Sequence, residues 1–98
     1  MAKLTNTQVK HLKSLAHSLK PVVMIGDKGL TESVIEELKI ALGAHELIKV
    51  NIRAEDKQDK ENIIDKILAK TQSNKVQTIG GKLVIFKASK EAKVALPK

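Results

Sequence analysis

Pro21-Val22-Val23-Met24-Ile25-Gly26-Asp27-Lys28-Gly29-Leu30-Thr31 decides how this chain folds. The apolar run opens on a proline, where a strand needs no ladder donor, and reads as a short buried strand. Gly26 to Gly29 then reads as a loop, since neither glycine has a side chain to restrict φ. Thr31 follows as a helix N-cap, with Glu32 in the first turn where the dipole favours an acid. Val34, Ile35, Leu38, Ala41 and Leu42 recur at helical spacing, and Gly43 suits the end of a helix over 31–43. A strand, a tight loop and a helix in succession call for a parallel partner strand after the helix.

That partner is the stretch from Glu46 to Arg53. Ile48, Val50 and Ile52 point one way, and Lys49, Asn51 and Arg53 the other. Ile63, Ile64, Ile67 and Leu68 mark a third helix, ending near Lys70 or Thr71. Lys75 to Ile79 and Lys82 to Lys87 read as strands joined by Gly80-Gly81, a hairpin signal. Upstream, Val9, Leu12, Leu15, Ala16 and Leu19 give residues 5–19 one apolar helical face, capped by Thr5, Asn6 or Thr7 and stopped by Pro21. The predicted order is α-β-α-β-α-β-β, an α/β two-layer sandwich with a four-stranded mixed sheet and helices on one face. Residues 1–98 are expected to form a single domain, with 88–98 as a basic C-terminal tail.

The chain has 98 residues, one aromatic (Phe86), no cysteine and 42% hydrophobic residues, so its core must be aliphatic. Without cysteine it has no disulfide framework and no thiolate site. No segment approaches the ~18 apolar residues of a membrane span. Met1 to Asn6 lacks the apolar run of a signal peptide, so a cytoplasmic protein without a membrane partner is expected.

The net charge of +7 is unevenly placed. Residues 1–26 carry +4, residues 27–65 carry −4, and residues 66–98 carry +7. If the two basic ends meet in the fold, they form a basic face suited to a polyanion. Lys10, Lys13, His17 and Lys20 already form one stripe along the first helix. A shortage of aromatics argues against a domain that reads single strands by stacking bases. Phe86 reads as a core residue.

Gly26-x-x-Gly29 can aim backbone N–H groups, with the start of the following helix, at a phosphate, and Lys28 adds a cation. Taken alone, the motif more often marks a tight turn. It has neither the spacing nor the Lys-Ser/Thr pair of a Walker loop, and it lacks the third glycine of a dinucleotide fingerprint. His11, His17 and His45 have no metal-type spacing. Glu55, Asp56, Asp59 and Glu61 lack the glycine and register of a calcium loop, and they suit a solvated helix start. No enzyme, metal, cofactor or small-molecule substrate is therefore expected.

The run from Leu12 to Thr31, His45-Glu46-Leu47-Ile48-Lys49-Val50, and Val94-Ala95-Leu96-Pro97-Lys98 resemble the YhbY family of bacterial CRM-domain proteins. CRM denotes chloroplast RNA splicing and ribosome maturation. The resemblance spans nearly the whole chain. It implies a fold similar to the C-terminal domain of bacterial translation initiation factor three. It also implies RNA binding during assembly of the large ribosomal subunit, on a ribosomal RNA precursor, by a stand-alone domain, and a monomer is expected. The family's glycine loop, compared with that of KH domains, falls on Gly26, Asp27, Lys28 and Gly29. Supporting cations would be Lys10, Lys13, Lys20, Lys49, Arg53, Lys82 and Lys87. Asp27 departs from the neutral or basic residue of relatives, since a carboxylate beside a phosphate is unfavourable. The rival reading is a protein-binding adaptor whose basic face meets an acidic partner, with a phosphate-processing enzyme a distant third.

Overall fold

The computed structural model describes residues 4–26, 29–88 and 94. Its elements run α1 (Asn6–Ala16), β1 (Val23–Ile25), α2 (Glu32–His45), β2 (Leu47–Ile52), α3 (Lys57–Thr71), β3 (Asn74–Ile79) and β4 (Lys82–Phe86). This is the order predicted from the sequence. Thr5 closes a capping box on α1, accepting from the Gln8 N–H at 3.1 Å while the Gln8 side chain accepts from the Thr5 N–H at 3.0 Å. Thr31 caps α2 through the Val34 N–H at 3.2 Å. Asp56 caps α3, accepting from the Asp59 N–H at 2.8 Å, and Asp59 in turn accepts from the Glu55 N–H. Part of the acidic cluster thus satisfies orphan donors of a helix start.

The sheet order is β1-β2-β4-β3. β1 and β2 are parallel, while β4 is antiparallel to both β2 and β3. Val50 faces Val23 on one side and Leu83 on the other, so the row is apolar from edge to centre. On this face α2 and α3 pack Leu38, Leu42, Ile63, Ile64 and Ile67 against Ile25, Ile48, Val50, Leu83 and Ile85.

The placement of helices corrects one expectation. They do not share one face of a two-layer sandwich. Leu12 and Ala16 of α1 pack with Leu47, Val76, Val84 and Phe86 in a separate cluster. Leu47 and Ile48 are consecutive in β2, so their side chains leave opposite faces. α1 therefore covers the face away from α2 and α3. It also ends at Ala16, and Leu15 and Leu19 are exposed rather than buried on one continuous apolar stripe.

α2 runs two residues past Gly43 and stops at Glu46, whose φ of 63° turns the chain into β2. Glu46 is 1% exposed. Its N–H donates to the Leu42 carbonyl at 2.8 Å, and its own carbonyl accepts from the Lys87 N–H at 2.9 Å. Its Oε1 accepts from the Val94 N–H at 2.8 Å. One buried carboxylate thus fastens a residue of the C-terminal segment to the start of β2. Val94 packs beside the α1 cluster.

Candidate functional site

α1 and the β3–β4 hairpin belong to the two basic ends of the sequence, and the α1 cluster brings them together. Lys10 and Lys13 are exposed on α1. Lys49 pairs with Val84 across the sheet, and Asn51 pairs with Lys82. Val84 lies in the α1 cluster, so pleat parity sends Lys49, Asn51 and Lys82 to the same face as α1. Lys20 and Lys49 line a mainly apolar groove with Leu15, Leu19, Val22 and His45. Lys10, Lys13, Lys20, Lys49 and Lys82 thus share one side of the molecule.

Lys87 does not belong to that side. It follows Phe86, whose ring is in the α1 cluster, and it lines a small groove with Lys39, Leu42, Gly43 and Thr71 of α2 and α3. Arg53 stands at the end of β2, where its N–H donates to the Ile25 carbonyl at 2.9 Å. It lines an open cleft of about 750 Å³ beside the glycine loop. Gly26, Gly29, Leu30, Glu55, Asp59 and Lys66 are the other main walls. Lys66 was not among the residues singled out from the sequence. The cleft exists because α3 starts beside the loop. Cations and carboxylates alternate on its walls, so its field is mixed rather than uniformly basic.

The loop is a turn closed by the Gly29 N–H donating to the Gly26 carbonyl at 3.0 Å. Asp27 and Lys28 lie outside the described residues. The two glycines have different roles in the free protein. Gly29 has φ +72°, where an L side chain is strained. Gly26 has no positive φ, and a Cβ built on it meets nothing within 4 Å. Gly29→Ala is expected to cost about 1 kcal/mol of stability from the left-handed backbone alone. Gly26→Ala is expected to leave stability unchanged. Chemical denaturation of the pair checks the distinction.

β1 also departs from a fully buried strand. Val23 and Ile25 are buried, but Met24 is 67% exposed, because α1 does not reach the β1 edge. Phe86 is buried, as its position in the last strand led one to expect. Among the described residues, no group of three or more His, Cys, Asp or Glu could hold a metal ion. No helix among them is long and apolar enough to cross a membrane.

Comparison with known proteins follows the same outline. The family model for the CRS1 / YhbY (CRM) domain matches residues 4–87. A Haemophilus influenzae protein named RNA-binding protein is 48% identical over 98 residues, covering 100% of this chain and 99% of its own. The Bacillus subtilis protein named Probable RNA-binding protein YqeI is 38% identical over 95 residues, covering 96% of this chain and 99% of its own. The solution structure of a hypothetical protein from Staphylococcus aureus superposes with a TM-score of 0.82 at 33% identity. It covers 97% of this chain and 100% of that one.

Proposed function

This chain belongs to the CRS1/YhbY (CRM) domain family, and on that premise we propose that it binds RNA on the α1 side of the sheet, docking on a ribosomal RNA precursor during large-subunit assembly. The observation that carries the reading is the gathering of Lys10, Lys13, Lys20, Lys49 and Lys82 on one side; the Gly26–Gly29 turn follows β1 at the edge of the same sheet. Such a surface attracts phosphates irrespective of sequence, and phosphate contacts set register on the nucleic acid. The glycine turn seats one stretch of backbone. Gly26 suits this role because the space beside it is open and its backbone does not itself demand glycine. Lys87, on the opposite face, is left out of the contact.

The protein acts as a binding module rather than an enzyme in this reading, and it works in the cytoplasm as a monomer. An adaptor with an acidic protein partner would use the same cations. Treating purified complexes with nuclease separates the two: the adaptor keeps its partner, while the RNA binder loses its own.

RNA affinity is expected to fall with salt, with a log–log slope of roughly −0.7 to −0.9 per phosphate neutralised. An affinity flat in salt would remove the electrostatic mechanism. Gly26→Asp places a side chain and a negative charge in the turn without requiring a left-handed residue. It is expected to fold normally and to bind RNA more weakly. Unchanged binding by a folded Gly26→Asp protein would reduce the loop to a connection between β1 and α2.

A further inference from the structure

Among the described residues, one row of the sheet is left uncovered on the α1 side. Met24 of β1 pairs with Asn51 of β2, Asn51 pairs with Lys82 of β4, and Lys82 pairs with Ile79 of β3. The four side chains lie in one line across all four strands. Both ends are apolar and open, with Met24 67% and Ile79 59% exposed. The neighbouring row, containing Val84, is already beneath α1. The bare row is therefore the margin that α1 does not reach, and it lies two residues before Gly26 on β1.

Resting on the RNA-binding reading, we propose that this row is a platform for unpaired RNA bases, built from aliphatic instead of aromatic side chains. Three inter-strand steps give it a length of about 14 Å. Other four-stranded sheets of this breadth seat two or three bases, there on aromatic side chains. A base has an apolar face and a polar edge. The Met24 thioether, polarizable and unbranched, and the Ile79 side chain offer contact to base faces. Asn51, at the centre, carries both a donor and an acceptor for a base edge. Lys82 beside it, and Lys49 one row away, supply charge complementarity for the connecting phosphates. A protein partner fits less well, since a stable interface needs roughly 800 Å² per side and this row is one residue deep.

The row continues directly into the glycine turn. Backbone held at Gly26 would thus deliver its next nucleotides onto Met24 and Asn51. The scarcity of aromatics excludes stacking on rings, but leaves contact with bases open.

The test is the double substitution Met24→Ser with Ile79→Ser, in the full chain. Both positions are exposed, and circular dichroism with thermal melting verifies the fold. Binding is measured by fluorescence anisotropy with a mixed-sequence RNA of about 12 nucleotides, and with the same RNA fully paired to its complement. The expected result is a loss of about fivefold to tenfold on the single strand. The salt slope should not change, because no cation is removed, and binding of the duplex should stay at the wild-type level. Wild-type affinity of the variant for the single strand would overturn the platform, and so would an equal loss on strand and duplex. Failure of the unaltered protein to bind either RNA would instead overturn the RNA-binding reading itself, and the platform with it.

Discussion

Leu12→Ala is expected to cost about 2–4 kcal/mol, within the range of large-to-small changes at fully buried sites. For a chain of this size that lowers Tm by roughly 10–20 °C. Leu12 is 0% exposed and belongs to the α1 cluster with Leu47, Val84 and Phe86. Among the described residues, α1 has no second helix beside it on its face of the sheet. Besides Leu12, the buried side chain it contributes is only Ala16, which has little volume to compensate. α2 and α3 are different, because they also pack on one another. The substitution should therefore loosen α1 selectively. Thermal denaturation checks the magnitude, and hydrogen exchange checks the location: amides of α1 should exchange faster while those of α2 and α3 keep more of their protection. A loss below about 1 kcal/mol would mean that α1 is held by something other than this contact.

Much of this architecture was legible because each element carries its own local signal. The alternation in Leu47–Ile52 and the Gly80-Gly81 turn marked strands, Thr5 and Thr31 were among the cap candidates, and the acids from Glu55 to Glu61 suited a helix start. The side on which α1 packs was encoded more faintly. Leu83-Val84-Ile85-Phe86 is apolar at every position, the pattern of a strand buried on both faces. Leu47 adds an apolar residue of the opposite parity to Ile48. Those residues required a cover on the second face, and α1 was the free helix available to supply it. Met24 could not be read in this way. An apolar residue inside an apolar run looks buried whether or not a helix reaches it, and the reach of α1 is set by tertiary packing. The same limit applies to the cations. Lysine count located the basic segments, but a single step of strand parity separates Lys82 from Lys87. The cleft beside the glycine loop depended on where α3 begins relative to Gly26, which no spacing along the chain expresses.

That parity allows a test of the basic face with its own internal control. Lys10→Gln, Lys13→Gln and Lys82→Gln together remove three cations from the α1 side. Lys39→Gln, Lys70→Gln and Lys87→Gln remove three from outside it, Lys39 and Lys87 lining the groove between α2 and α3. Both triple variants carry the same net charge, so a difference between them reports position and not overall attraction. If each α1-side lysine contacts a phosphate for about 1 kcal/mol, the upper range for exposed ion pairs, the first variant should bind RNA roughly 100-fold more weakly. Its salt slope should shallow by about 2, since each phosphate neutralised on a single strand contributes about 0.7. The second variant should lose only the small, general effect of reduced net charge, with a slope near that of the wild type. All six residues are exposed or partly exposed, so neither variant should unfold. Titrations at several salt concentrations give affinity and slope together. Equal weakening of the two would show that the charge acts as a diffuse cloud and would remove the α1 face as a docking surface. A strong loss in the second variant alone would move the interface to the α2–α3 side, where Lys87 would regain the place that the sequence first assigned to it.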